Sequence, residues 1–302
     1  MKLRIAVGVV LALVVAVLVN AYVVTRTARA AEPFAGGHVL HLDGPDLNVR
    51  EYGPPGDRAV VLLHGYSASI EWWQAIAPML ARGERVIAVD LVGHGGSEAP
   101  LEAAPYHAAE QAEAVRKALT ASGVRHAVLV GHSMGGAVAA EFAHRYPDLV
   151  EKVVVSDTPA ADDLVSMPLL GKMVCWPALG PALDRFRTVD AITESSLQTG
   201  FAADYPVPQF AYRSLERLTY AGVCDSKDGD RAPVAETLAG LGKPVLVLWG
   251  ERDVLTPTAP NVARYTAAGL PPHVIAGSGH SPMVEKPDEF LSAIGEFVAE
   301  RS

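Results

Sequence analysis

The run Val128-Leu-Val-Gly131-His132-Ser133-Met134-Gly135-Gly136 constrains this chain more than any other stretch. An apolar segment stops at a glycine, one serine follows, and small residues open a helix that the pattern carries to Arg145. An uninterrupted apolar strand reads as one buried on both faces of a parallel sheet, so the segment predicts strand, sharp turn and helix with Ser133 at the apex. The spacing is G-x-S-x-G. A serine hydroxyl attacks a carbonyl only when it stands clear of the backbone and near a base. Gly131 and Gly135 lack the Cβ atoms that would collide across such a turn. A helix that begins at Met134 also points free N–H groups and a positive dipole end at the place where an oxyanion would form.

The rest of the chain supplies a sheet for that strand to join. Residues 38–43 and 47–52, linked by Gly44-Pro45-Asp46, read as an antiparallel hairpin. Buried strands are expected at 59–63, 86–89, 127–130, 153–155, 245–248 and 273–275. Helices are expected at 69–81, 106–122, 134–145, 260–268 and 288–299. Strand–helix alternation implies a mostly parallel α/β sheet with helices on both faces. The alternation fails between 158 and 241, where prolines and short helical pieces leave no clear buried strand. The expected organisation is therefore a core of residues 32–157 and 242–302, with a helical lid inserted at 158–241 over the edge where such sheets bind ligands. The 302 residues suffice for this one large domain.

Residues 1–31 are of another kind. Lys2 and Arg4 precede an apolar stretch, residues 5–24, interrupted only by Asn20 and closed by Arg26 and Arg29. About 20 apolar residues span a bilayer, whereas the apolar part of a cleavable signal runs to roughly 7–15. Length favours an uncleaved membrane anchor, while Ala28-Arg29-Ala30 offers a pattern that a signal peptidase accepts, leaving a secreted product as the alternative. Flanking charge weakly favours an inward N-terminus, which would put the remainder outside the cytoplasm. There Cys175 and Cys224 have the choice of pairing or staying as buried thiols. The formal charge of −9 comes with no basic cluster in the globular part, so no nucleic-acid footprint is present.

A nucleophilic serine needs a base, an orienter for that base and oxyanion donors. His280, in Gly277-Ser-Gly-His280-Ser-Pro, follows the last strand and is the candidate base. Asp253, in Trp249-Gly-Glu-Arg-Asp253, follows the strand before it and is the candidate orienter; Glu251 and Asp157 are its rivals. His64-Gly65-Tyr66-Ser67 follows the third strand, and the backbone N–H groups of Tyr66 and Met134 are the candidate oxyanion pair. His64 and His132 are expected to pack rather than react. The loop Asp90-Leu-Val-Gly-His94-Gly-Gly-Ser97 lacks G-x-G-x-x-G spacing and a phosphate-cradling lysine, so no nucleotide cofactor is expected. Ten histidines include no H-E-x-x-H and the two cysteines lie far apart, so no metal is expected either.

With these residues placed, the chain from His38 onward resembles the α/β-hydrolase superfamily in its lid-bearing branch of esterases, carbon–carbon bond hydrolases and cofactor-free haloperoxidases. The resemblance rests on His64-Gly65, Asp90 through Ser97, Gly131 through Gly136, Gly250-Glu-Arg-Asp253, and Gly279-His280-Ser-Pro282 with Glu285 and Pro287 beyond. It implies Ser133 as nucleophile, Asp253 as acid, His280 as base and oxyanion donors at Tyr66 and Met134. The serine at the elbow is unlike the aspartate of haloalkane dehalogenases and epoxide hydrolases. The expected activity is carboxylic-ester hydrolysis, of the carboxylesterase or lipase kind, through an acyl-enzyme. Carbon–carbon cleavage or perhydrolysis by the same triad is the alternative, and a hydrolase-fold ligand receptor with vestigial turnover is a second. The lid segment Met167-Pro-Leu-Leu-Gly-Lys-Met-Val-Cys-Trp176 suggests an apolar or lipid-like substrate group, or else plain lid core. Oligomeric state is not legible from the residues.

Overall fold

The apolar runs become strands of one sheet in a computed structural model that describes residues 2–166, 173–176, 179–184, 190–226 and 233–301. The strands are β1 (His38–Leu40), β2 (Leu47–Tyr52), β3 (Arg58–Leu63), β4 (Val86–Val89), β5 (His126–His132), β6 (Val150–Ser156), β7 (Val245–Gly250) and β8 (His273–Ile275). Their order across the sheet is β1-β2-β4-β3-β5-β6-β7-β8. The β1–β2 hairpin joins β4 antiparallel, and every pairing from β4 to β8 is parallel.

Successive side chains of the central strands enter two different cores, as the two-residue period requires. Val61, Leu63, Leu129, Val153, Val155, Val247 and Trp249 face one side. There they meet α3 (Ala108–Ala121), α4 (Met134–Arg145) and Tyr265 of α10 (Thr258–Ala267). Val60, Leu62, Val128, Val130, Val154 and Leu248 face the other. Their partners are Trp72, Trp73 and Ile76, and Phe290, Ile294 and Val298 of α12 (Pro287–Ala299). Both faces are thus dry, which is why these strands read as continuous apolar runs rather than as alternation.

Two helices differ from expectation. Residues 69–81 do not wind as one helix: a 3₁₀ turn (Ile70–Trp73) capped by the Ser69 hydroxyl precedes a short α2 (Ala77–Leu80). Pro78 stands in the first turn of α2; with no N–H to give, it is tolerated there but not inside a longer helix. The helix expected from 106 starts at Ala108, because His107 is extended after a 3₁₀ turn at Ala104–Tyr106.

Between β6 and β7 the described residues form helices and no strand: α5 (Leu179–Leu183), α6 (Asp190–Gln198), α7 (Gln209–Glu216), α8 (Tyr220–Cys224) and α9 (Val234–Ala239). Val234, Ala235 and Leu238 of α9 belong to the same core as α4. Phe201 and Phe210 pack with Trp72 on the opposite face. Cys175 and Cys224 form a disulfide with Cα atoms 5.4 Å apart, which settles the choice that the sequence leaves open. It ties the residues before α5 to the end of α8.

Helix α1 (Lys2–Val24) is apolar on every face. Its segment Arg4–Val24 is long and apolar enough to cross a membrane. Its far end touches the insertion: α5 packs against α1, and Asn20 Nδ2 donates to the Pro181 carbonyl at 3.1 Å. The chain that follows is stitched to the body by an antiparallel bridge, with Arg29 N donating to Ala99 O at 2.9 Å and Ala99 N to Arg29 O at 2.8 Å.

Candidate active site

Strand β5 ends at His132, and the chain turns into α4 through Ser133, whose backbone sits at φ +51°, ψ −118°. A positive φ on a residue with a side chain costs about 1–3 kcal/mol and persists only where the surroundings enforce it. Here Ser133 N donates to Ser156 O of β6 at 2.9 Å. A Cβ on Gly131 would strike the backbone of Gly135 and Gly136, and one on Gly135 would strike the carbonyls of Leu63 and His64. Only glycine allows the strand and helix to approach this closely. Ser133 is consequently half-buried among fully buried neighbours, raised at the C-terminal edge of the sheet.

His280 follows β8 at that same edge and is 4% exposed. Its Nδ1 lies 2.7 Å from Asp253 Oδ2. A carboxylate oxygen can only accept, so the Nδ1 proton fixes the tautomer and leaves Nε2 as the basic nitrogen. Asp253 Oδ1 accepts from Leu255 N at 2.9 Å and Thr256 N at 3.0 Å, and Thr256 Oγ1 donates to Oδ2. His132 Nε2 donates to the His280 carbonyl at 2.7 Å, with the two rings 4.9 Å apart. That bond ties the base loop to the residue immediately before Ser133. Among the described residues no hydrogen bond joins Ser133 Oγ to the imidazole; the serine and the His280–Asp253 pair share an edge without being linked.

The rivals for the acid are separated by their surroundings. Glu251 turns outward and accepts from Gly277 N at 2.8 Å. Asp157 points inward: it is fully buried at φ +49°, with Oδ1 accepting from Gly250 N at 2.8 Å and Oδ2 from Ser156 Oγ at 2.7 Å. One ligating atom from each of Asp157, Asp253 and His280 lies within 4.8 Å of the others. Among the described residues this is the grouping compact enough to share a metal ion, which the sequence spacing does not suggest. Its carboxylate oxygens each accept at least one hydrogen bond from the donors just named.

Burial first, and the Asp253 charge second, hold the Asp157 carboxyl well above the usual carboxylate range. Burial also pushes Asp253 up, but the His280 charge, the His280 N–H and the Thr256 donors outweigh it, and Asp253 stays below its ordinary value. Burial, with His280 nearby, takes His132 down to about 3, and burial takes His94 down to about 4. His64 is lowered well below its ordinary value by burial and then by His94. His64 Nδ1 contacts Gly65 O at 2.7 Å and its Nε2 accepts from Leu91 N at 3.0 Å, which is the packing role read from the sequence.

Tyr66 lies in the loop after β3, against the elbow: a Cβ on the adjacent Gly65 would come within 3.1 Å of Ser133 Cβ. The Tyr66 hydroxyl donates to Val223 O of α8 at 3.0 Å, so the insertion rests on this loop. Met134 is buried as the first residue of α4. Asp90 accepts from Ile70 N at 2.7 Å, Gly96 N at 2.8 Å and Asn48 Nδ2 at 2.8 Å; the glycine-rich loop after β4 thus closes on its own carboxylate.

Two side chains that shape the site, Thr256 and Glu285, were given no role by sequence reading. Thr256 brackets Asp253, and Asp157, weighed from the sequence as its rival, lies buried beside it. Glu285 accepts from Gly279 N at 2.9 Å, Ser281 N at 3.0 Å and Ala202 N at 2.9 Å, clamping the His280 loop from both sides and fastening it to the insertion. The spacing Ser281-Pro-Met-Val-Glu285 at the start of α11 (Pro282–Glu285) is one residue longer than a capping box and was its visible signal.

The chain matches the model of the alpha/beta hydrolase fold family over residues 58–287. It is 30% identical to a pimeloyl-[acyl-carrier protein] methyl ester esterase of Edwardsiella ictaluri, over 82% of this chain and 95% of that relative. Its structure is similar to that of an enol-lactonase from Burkholderia xenovorans, with a TM-score of 0.71 at 23% identity over 87% of this chain and 100% of that one. It is also similar to a membrane phospholipase A described as a bacterial virulence factor, with a TM-score of 0.70 at 25% identity over the whole of both chains. Elbow, sheet order and family match agree, and the chain belongs to the α/β-hydrolase fold family.

Proposed function

We propose that this chain hydrolyses carboxylic esters through an acyl-enzyme, with Ser133 as nucleophile, His280 as general base and Asp253 as orienter. The observation that carries the reading is the buried 2.7 Å contact of His280 Nδ1 with Asp253, set on the sheet edge where Ser133 stands in a strained turn. Substrate binding draws Ser133 Oγ onto His280 Nε2; such contacts are often long in free enzymes and tighten in the complex. The imidazole takes the hydroxyl proton as Oγ adds to the ester carbonyl. It then returns that proton to the leaving alcohol, and water repeats the sequence to free the acid. The N–H groups of Tyr66 and Met134 are the oxyanion donors, each worth about 3 kcal/mol in the transition state.

The insertion 158–241 acts as the lid and the flanking segments as the hydrolase core. An apolar acyl or alkyl group is supported by Trp72, Phe201 and Phe210, whose rings cluster beside the His280 loop. The segment Met167–Trp176 that suggested the same group lies outside the described residues except for 173–176. Helix α1 holds the chain to a membrane with the body outside the cytoplasm, a placement supported by the disulfide. The likeness over full length to a membrane phospholipase A supports a lipid-borne ester.

The test is hydrolysis of p-nitrophenyl esters of rising acyl length. Ser133→Ala and His280→Ala should each abolish it to a similar degree, because triad members act as a unit. Mass spectrometry should trap an acyl adduct on Ser133. Retained turnover in Ser133→Ala, or a much milder His280→Ala, would overturn the proposal.

A further inference from the structure

We propose that Trp176 and helix α5 bed into the same lipid leaflet that receives the end of helix α1. The inference rests on reading α1 as a membrane anchor. The contact between the two helices falls inside the apolar span: Asn20 belongs to Arg4–Val24, and its amide donates to Pro181 O of α5. Whatever touches Asn20 therefore lies at bilayer depth, however the body tilts. The water line is marked about half a turn further on, where Tyr22 is exposed and the Arg26 guanidinium sits 5.5 Å from its ring centroid. Tyrosine and arginine gather at that boundary. Asn20 precedes Tyr22 by two residues, about 3 Å of helix rise on the hydrocarbon side.

The side chains that α5 brings to this level are apolar and uncovered. Trp176 is 48% exposed and Leu179 is 41% exposed. Gly180 N donates to Trp176 O at 2.8 Å, which holds Trp176 against the first residues of α5. An indole with an apolar body and a polar N–H suits the headgroup boundary. The neighbouring residue, Cys175, is bonded to Cys224, and the residue before that, Val223, receives the Tyr66 hydroxyl. The lipid-facing turn is thus fastened by a short covalent and hydrogen-bonded path to the loop beside Ser133. A substrate drawn from the leaflet would meet this turn first.

Trp176 supplies its own probe. The other three tryptophans, Trp72, Trp73 and Trp249, are at most 5% exposed. The full chain is reconstituted in phosphatidylcholine vesicles with or without bromine on the acyl chains, and tryptophan emission is compared. Bromolipid should quench about a quarter of the emission, the share of one tryptophan in four, and Trp176→Phe should remove that quenching. In the same vesicles, Trp176→Asp should lower hydrolysis of a lipid-borne ester by roughly tenfold while leaving a short soluble ester unaffected. Resistance of the chain to carbonate extraction, measured alongside, reports on the anchor alone. If the chain is extracted, the anchor reading fails. If it stays while emission is equal in both lipids, or if a second copy of the chain cross-links at Trp176, the anchor reading stands and the leaflet contact is refuted.

Discussion

The two acids beside His280 should respond in opposite ways to the same substitution. In Asp253→Asn the oxygen that accepts from Leu255 N and Thr256 N must remain an oxygen, so the new amide nitrogen is forced into the place of Oδ2. It then faces His280 Nδ1 at the present 2.7 Å as a donor. The imidazole can meet a donor only by moving its proton to Nε2, and an Nε2–H cannot take a proton from serine. A loss of this kind is of the order of 10⁴-fold in kcat, or about 5 kcal/mol in the barrier. In Asp157→Asn the carbonyl oxygen keeps the bond from Gly250 N, and the amide nitrogen replaces a carboxyl whose ionisation burial and the Asp253 charge both oppose. Ser156 Oγ has only to turn from donor to acceptor. The expected change is about threefold or less, under 1 kcal/mol. The assay is kcat/KM on a short p-nitrophenyl ester, with circular dichroism and a thermal melt to show that both variants fold. A severe Asp157→Asn beside a mild Asp253→Asn would refute the assignment of the acid.

Glu285→Ala leaves three backbone N–H groups without their acceptor at about 1–3 kcal/mol apiece; a lowered melting temperature together with lowered kcat should follow, and an unchanged kcat would show that the His280 loop holds itself. Acid should unfold the chain early, because His132 and His94 are held neutral with values of about 3 and about 4 while the unfolded chain binds their protons from pH 6.5 down. Their contribution is complete above pH 6.5 and drains as pH falls towards those values, at roughly 1 kcal/mol per pH unit for each. Urea unfolding at pH 7.5, 6 and 5 should show that slope, and a midpoint flat across this range would contradict it. The disulfide closes a loop spanning 49 positions, so the Cys175→Ser, Cys224→Ser double variant should lose up to about 4 kcal/mol, and limited proteolysis should find its first new cut in the insertion. Equal proteolysis patterns would show that packing alone holds the insertion in place.

The elbow was legible because its constraint is steric and local: small residues at fixed offsets around one serine, with apolar residues before it. The buried strands were legible for a related reason, since a strand covered on both faces has no polar positions to confuse its pattern. That Asp253 and His280 would lie at one edge was legible because each follows a strand end, and parallel strands bring their ends together. What escaped was whatever depends on tertiary partners. The break at residues 74–76 was signalled by Pro78, but the apolar spacing of Trp72, Ile76 and Leu80 mimicked one continuous helix. Asp157 and Asp253 are 96 positions apart in the chain and become neighbours only when β6 and β7 pair. Whether Cys175 meets Cys224 is likewise decided by how α8 lies against the residues before α5. Glu285 carried a near-miss of a known pattern, one residue too long to be counted.

The bridge between Arg29 and Ala99 bears on how the chain is made. Ala28-Arg29-Ala30 is the place where a processing peptidase would cut, and proteases act on backbone that is exposed and unpaired. In the folded protein the middle of that tripeptide is occupied, with the backbone N–H and carbonyl of Arg29 both paired with Ala99. Any trimming at this point has to happen before the body has closed around its own leader. Once β4 and its following loop are in place, the backbone of Arg29 is paired and drawn against the body.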